Sequence, residues 1–595
     1  MSKFLERSVN IDGLELAFHF EVMPEEAQYD VAVDLSPLVK AQGITVITPS
    51  ISRKDGGAFY QRGFRLKTRI PLVDIHGISI PGKANNPFLF GIPWHFDEQT
   101  SLHQSFPFLC FINREGKNKL TLGIKDPTVG YRLVGKLCKD ERTFELTIGS
   151  LGAMRKAPQI FFSRKEIPWF NMTEVYSEWT GIDGQNIPSG AYDPVFCTWY
   201  AVHQDLNEKW VEDVATEAYK LGFRIFILDD GWFTPDTGRG YWYTGDWEVC
   251  TKKFPNFKQH VQRVQDLGMK YVLWIAPFMV GKKSRAYKNF KHLLVAPSDS
   301  FASLCPQSST TREYLLEIIP QLYEDYNLDG FKFDFIDSLP TEPCQKGGHE
   351  HFCDSPGEGV RQILESLVER LNSLGNKCPL IEFRQEYATP NMRQYCTAFR
   401  AIDAPLDFDN NRRRIINLRS FSGKFPVYSD PIFWGEGELL KNIARHFINC
   451  TFSVPMLSVD LLRLNNEEKK IIKFWIEFYR RHRDILLFGK FVPVFAVGDF
   501  VAALATQGEK GILALYSHGA IRLGQELSGN LPRELHILNG SCSEVVDLTC
   551  ERLTGDWQIE VMDRCGHIVK TLKKTLNGGL SIPVEIGGLV RLLAE

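Results

Sequence analysis

Acidic side chains recur along this chain at the ends of apolar runs. Asp229 and Asp230 close FRIFILDD, Asp334 and Asp337 lie at the end of FKFDFID, Asp403 ends FRAID and Asp430 ends FPVYSD. Unpaired carboxylates repel one another and lose hydration in a concave site, so gathering them at strand ends points to chemistry rather than to packing. One run says more. With a strand period of two, Lys332 and Asp334 share one face while Phe331, Phe333 and Phe335 share the other. The phenylalanines are expected against outer helices. Lys332 and Asp334 are expected inside, where the ammonium keeps the carboxylate ionised and able to attack carbon. A buried Lys–Asp ion pair of purely structural kind is the alternative.

Tryptophans accompany the acids: Trp199, Trp232, Trp247 and Trp274 all fall near these run ends. Carboxylates that accept from hydroxyls, beside rings that cover C–H faces, describe a sugar site, although core packing explains many single tryptophans. A second cluster, Cys344, His349, His351 and Cys353, puts four soft ligands within ten residues. Its spacing is not that of a zinc finger, so it is read as an ordinary loop, with metal binding as the lesser alternative. No cofactor and no metal are expected.

Elements able to position these acids can be read from the hydrophobic period. Val211, Val214, Ala215, Ala218 and Leu221 keep helical spacing and stop at Gly222. Phe257, Val261, Val264 and Leu267 stop at Gly268, and Val360, Ile363, Leu364, Leu367, Leu371 and Leu374 stop at Gly375. A glycine after the last turn suits the left-handed position that ends a helix. Between the helices lie eight strand candidates: VFCTWY, FRIFILDD, YVLWIAP, GFKFDFID, LIEFRQ, FRAID, FPVYSD and VPMLSVD. Eight β/α units predict a (β/α)₈ TIM barrel, whose chemistry sits at the C-terminal ends of its strands. Short alternating runs before and after it predict an N-terminal β-sandwich over 1–188, the barrel over 189–488 and a small C-terminal β-sandwich over 489–595.

The bulk properties exclude several classes. At 595 residues, with 44% hydrophobic and 24% charged residues, the chain is long enough for several packed domains. A net charge of -3 offers no basic field for nucleic acid, and the run Arg412 to Arg414 is read as a solvated helix face. No stretch approaches the apolar length of a membrane span, and the first residues lack the apolar core of a signal peptide. With 13 scattered cysteines suited to reduced thiols, the expectation is a cytoplasmic protein. No pattern specifies an oligomer, though flanking β-domains would suit a homo-oligomer.

At DDGWF (229–233), GDWEVCTKKFPNF, LGMKYVLWIAPFMVG, FKFDFID and FRAID, the sequence resembles glycoside hydrolase family 36, the α-galactosidase (melibiase) family of clan D, as a divergent branch. The resemblance extends over most of 190–460. It implies a retaining exo-α-glycosidase with Asp334 as nucleophile and Asp403, of an Arg-x-x-Asp motif with Arg400, as acid/base. It further implies that Asp229 and Asp230 bind sugar hydroxyls, with Trp232 and Lys332 nearby. Trp199, His203, Gln204, Trp274, Arg384, Arg400 and Asp430 are expected to line the site, Arg384 and Arg393 reading any charged or substituted ring.

The family's Cys-x-x-Gly-Gly-Gly-Arg stretch is replaced by IEFRQEYATPNMRQY at 381–395, and the usual Glu after Trp274 is absent. The implied substrate is therefore an α-linked oligosaccharide or glycoside whose sugar is open: galactose, N-acetylgalactosamine, glucose or an acidic sugar. Raffinose-synthase-like transglycosylation and non-catalytic carbohydrate binding are the alternatives. Retention predicts carboxyls about 5–5.5 Å apart, with Asp403 carrying the higher pKa and Arg400 turned toward a substrate hydroxyl or Asp407.

Overall fold

The helix stops and starts foreseen from the sequence frame the architecture. In the computed structural model, which describes residues 4–22, 31–41, 43–54, 63–82, 88–140, 142–152, 156–375, 378–496, 498–517, 519–524 and 531–595, helix Glu208–Leu221 begins on Asn207, whose side chain accepts from Trp210 N–H. It ends at Gly222 with φ +106°, and helix Phe257–Asp266 is followed by Gly268 with φ +94°. Helix Pro356–Leu374 differs. Its Gly375 is extended, at φ −128°, and not left-handed.

Eight strands run parallel in one sheet: Val195–Cys197, Ile225–Leu228, Lys270–Ile275, Gly330–Phe333, Leu380–Arg384, Ala398–Arg400, Val427–Tyr428 and Met456–Leu457. Parallel bridges Tyr428↔Val454 and Ile432↔Leu457 join the last strands to each other and complete the ring. All eight candidates from the sequence are present, and the chain folds as a TIM barrel flanked by β-rich regions. Gly330 explains why the fourth strand opens on glycine: a Cβ there would lie 1.8 Å from the Leu380 carbonyl oxygen of its neighbour.

Before the barrel, antiparallel sheets of six and seven strands face each other across Phe18, Phe20, Leu66, Leu133 and Phe144 on one side and Ile47, Leu109, Phe111 and Ile160 on the other. Strand Phe108–Ile112 shows the period of two plainly. Leu109 and Phe111 enter that core, whereas Phe108, Cys110 and Ile112 join the barrel's core with helix Trp169–Thr180. After the capping-box helix Asn466–Arg483, eight further strands form one connected sheet with its own core around Leu504, Leu513, Ile537 and Trp557.

The basic run is not a solvated face. Arg412 is buried against Asp409 and Asn449, Arg412 and Arg413 both pair with Asp499, and Arg414 donates to the carbonyls of Ile402 and Asp403. These arginines clamp the barrel to the strand Asp499–Gln507 and brace the loop that carries Asp403. No described helix is long and apolar enough to cross a membrane, and no described cysteines are joined by a disulfide.

Candidate active site

The fourth strand delivers Asp334 to its C-terminal end. Its backbone N–H donates to Ile275, its Oδ2 accepts from Trp274 Nε1 at 3.0 Å, and its Oδ1 accepts from Phe335 N–H at 2.9 Å with Arg384 Nη1 at 3.3 Å. Burial alone would raise this carboxyl. The charges of Arg384, Lys332 and Arg400 outweigh that and hold it at about 2, so it is an anion at any ordinary pH.

Lys332 points inward as foreseen, but its closest partner is Asp229, at 2.7 Å. Against burial, that carboxylate keeps the ammonium charged. Phe335 departs from the expected helix-facing row. The strand ends at Phe333, and Phe335, at φ +56°, turns to pack its ring on Tyr241 and under the Arg384 guanidinium.

The tandem aspartates have unlike surroundings. Asp229 accepts from Lys332, from Cys197 Sγ at 3.2 Å and from Asp230 N–H at 2.8 Å. Asp230 accepts from Gln204 Nε2 at 2.7 Å, while its buried Oδ1 has no protein partner. Burial, reinforced by Asp229 and Asp334, pushes its carboxyl up to about 8 against the pull of Gln204 and Lys253, so it can donate as well as accept. The loop depends on Gly231, at φ +123°, where a Cβ would sit 2.9 Å from the Gln204 Cα. Lys253 gathers the same loop by donating to the carbonyls of Gln204, Gly231 and Asp236.

At the sixth strand, Arg400 is 1% exposed and its Nε and Nη1 are taken by protein acceptors. Nε donates to Glu382, and Nη1 donates to Asp403 at 3.0 Å, to Asp430 at 2.7 Å and to the Ala401 carbonyl. Arg400 thus turns to Glu382 and Asp430 rather than to Asp407, whose side chain instead caps helix Phe408–Ser422 by accepting from Asn410 N–H.

Asp403 is the open member, its side chain 45% exposed. The surrounding protein pulls its pKa up, but Arg400 and Arg384 prevail and set it below the usual carboxylate range. The direct Arg400 contact is what keeps this carboxyl from being raised at rest.

Several expected lining residues stand behind the site. Trp232 is fully buried; its indole N–H is taken by the Trp274 carbonyl and its ring packs on Phe233, Trp247 and Phe257, so it supports the third strand and meets no ligand. Asp430 is sealed among Arg400, Tyr200 and Ala404 N–H, with burial pushing its carboxyl to about 7. It orients Arg400 rather than a sugar. Arg393 lies elsewhere, donating to Ser177 and the Ile182 carbonyl.

Trp199 and His203 lie together at the end of the first strand. The two rings meet edge to face and Arg239 lies over the indole. Arg384 is inside, its three nitrogens on Asp334, Asp337 and Glu386. Glu386, pushed by burial to about 8, and Glu382 were not anticipated. Glu382 could have been found from the strand period it shares with Arg384 in LIEFR.

Carboxylates therefore outnumber the cations Lys332, Arg384 and Arg400. A separate cleft of ≈ 690 Å³, lined by residues such as Lys270, Asp329 and Gly375, lies at the opposite ends of the strands and holds none of these groups. Cys353 leaves the Cys/His cluster foreseen in the loop, its Sγ donating to the Ser355 carbonyl, and Cys305 takes its place.

The parallel barrel thus sets an ionised aspartate at the end of the fourth strand and an open one on the sixth. The family model described as Melibiase matches residues 189–334. The α-galactosidase Mel36A of Lactobacillus acidophilus is 29% identical over 321 residues, 49% of this chain and 41% of that protein. An A type blood α-D-galactosamine galactosaminidase of Flavonifractor plautii is 25% identical over 276 residues, 41% of this chain and 24% of that protein. The matched stretch thus spans less than half the length of these relatives. The family 36 α-galactosidase AgaA of Geobacillus stearothermophilus, solved with raffinose, superposes over 100% of this chain and 87% of its own with a TM-score of 0.65 at 14% identity, a likeness of fold.

Proposed function

We propose that this chain is a retaining exo-α-glycosidase of α-galactosidase type, removing a terminal α-linked sugar from oligosaccharides or glycosides. The observation that carries the reading is Asp334. It is an acid held ionised by a guanidinium and two N–H donors at the end of a barrel strand, with a second acid, Asp403, at the open mouth.

In the first step an Asp334 oxygen forms a bond to the anomeric carbon as the glycosidic C–O bond breaks, and Asp403 passes its proton to the departing oxygen. In the second, Asp403 takes a proton from water, the water oxygen bonds to the same carbon, and Asp334 leaves as carboxylate. The charge coupling favours this order. While Asp334 is an anion it raises the pKa of Asp403; once esterified it no longer does, and Arg400 and Arg384 then keep Asp403 ionised and ready to take the proton from water. Sugar covering the exposed Asp403 carboxyl removes water from it and favours the protonated form needed first.

Arg384, whose nitrogens already meet three acidic side chains, supports a neutral sugar over an acidic one. A neutral ring of galactose type, as the names of the α-galactosidase relatives suggest, fits better. The proposal extends to a division at 1–188, 189–488 and 489–595 and to a cytoplasmic location, supported by the thiols and testable by cell fractionation.

The main test is a panel of aryl α-glycosides differing only in the sugar, with Asp334→Asn as control and the first-formed anomer read by NMR. Release of α-galactose with the control silent is the expected result. First release of the β-anomer, or activity surviving in Asp334→Asn, would overturn the mechanism, and turnover of a different sugar alone would overturn the specificity. Adding an acceptor sugar separates hydrolysis from transfer.

A further inference from the structure

Two connections on the C-terminal side of the barrel meet outside the catalytic pocket. Cys305 follows the short strand Phe301–Leu304, and Cys344, His349 and His351 lie between Asp334 and helix Pro356–Leu374. Their ligand atoms converge: Cys305 Sγ is 3.6 Å from His351 Nε2, Cys344 Sγ is 3.9 Å from His349 Nε2, and the two Nε2 atoms are 2.9 Å apart. All four atoms lie within 4.8 Å of one another. A tetrahedral zinc ion, with Zn–S near 2.3 Å and Zn–N near 2.0 Å, requires edges of about 3.3 Å between nitrogens, 3.6 Å between sulfur and nitrogen and 3.8 Å between sulfurs. The three separations of 3.6, 3.9 and 2.9 Å lie within about 0.4 Å of the matching edges, and the remaining ones stay within 4.8 Å.

We propose that Cys305, Cys344, His349 and His351 bind a zinc ion that staples the loop after the nucleophile strand to the loop after the third strand. Charge supports it: two thiolates and two neutral imidazoles around Zn²⁺ leave the centre neutral, each thiol having released one proton to solvent. The surroundings hold the ligands in register. Gln307 donates to the Cys353 carbonyl at 2.9 Å and accepts from Cys344 N–H at 2.8 Å, Phe352 N–H donates to the Gln307 carbonyl, and Ser308 bridges His351. With four protein ligands no position is left for substrate, so the ion is structural. It braces a loop that also carries Asp337, one of the carboxylates on Arg384, and that is tied to the third-strand loop by Ser303 and Ser338 at 2.9 Å.

The test is metal analysis of the full chain, purified under reducing conditions from zinc-supplemented culture. About one zinc per chain is expected, falling to under about a tenth in Cys344→Ser and His351→Ala and unchanged in Cys353→Ser. His351 is exposed, so its variant keeps the test open if a cysteine variant fails to fold. Chain stripped by chelator and given cobalt(II) alone should show thiolate-to-metal charge transfer and intense tetrahedral visible bands, both lost in Cys344→Ser. The proposal is overturned if wild-type chain carries no zinc and gives no charge transfer with cobalt. It is equally overturned if peptide mass analysis finds a Cys305–Cys344 disulfide, or if Cys353→Ser loses the ion while Cys344→Ser keeps it. None of these readouts depends on glycosidase activity.

Discussion

The fourth and sixth barrel strands each end in an aspartate beside an arginine, and the two acids live under different rules. Asp334 is buried, fixed by Trp274 and Phe335 N–H groups and held at about 2 by Arg384 before any other charge. Asp403 is half open, and its arginine is shared with Glu382 and Asp430. One site is finished before a ligand arrives. The other takes its final character from what covers it, which suits a group that must give a proton and later take one.

The comparison breaks most completely at the finished end. Asp334→Ala should cost at least about 10³-fold in kcat on an aryl α-galactoside, because no other group in reach is both ionised and aimed at the ring. Added azide should restore turnover and yield the β-glycosyl azide, identified by NMR. At the open end, Asp403→Asn should cost about 10²–10⁴-fold with an oligosaccharide, whose leaving oxygen needs the proton, and far less with a nitrophenyl leaving group. Equal losses on both substrates would remove Asp403 from the acid role.

A smaller effect should sharpen the electrostatic contrast. Asp334 is held below its usual range, so removing the first of the charges that lower it must raise its pKa. Arg384→Met should therefore move the acid limb of kcat/KM to higher pH by about one unit or more. The smallest change is expected of Trp232→Phe. It should leave kcat within about twofold while lowering the melting temperature, since this ring supports the third strand and touches no substrate.

The strands and the inward face of Lys332 and Asp334 were legible because each rests on a local rule: period two for Lys332 and Asp334, helical spacing closed by Leu-Gly for the units between strands. What was not legible lies past the point where a rule stops. Phe335 follows the last paired residue, so strand alternation no longer governs it, and a left-handed φ turns it into the site. Trp232 and Trp274 are indistinguishable by type. Only the fold shows that one indole N–H meets a carbonyl and the other Asp334. The Arg384 triad and the partnership of Cys305 with Cys344 join segments that no spacing relates, and Asp430 could not be known to be sealed until Tyr200 and Arg400 closed over it.

The excess of carboxylates over cations around the barrel mouth also reaches beyond chemistry. Asp230 and Glu386, pushed to about 8, and Asp430, pushed to about 7, keep protons that the unfolded chain would release near 3.8 to 4.5, so folding takes protons up at these three groups. Their contribution to native stability then declines as pH rises from the unfolded values toward 7 and 8. Asp334 works in the opposite sense, its contribution being present above 3.8 and lost as pH falls toward 2. For these four groups the two trends meet near the ordinary carboxylate range, so the acids gathered at the barrel mouth favour an acidic solution.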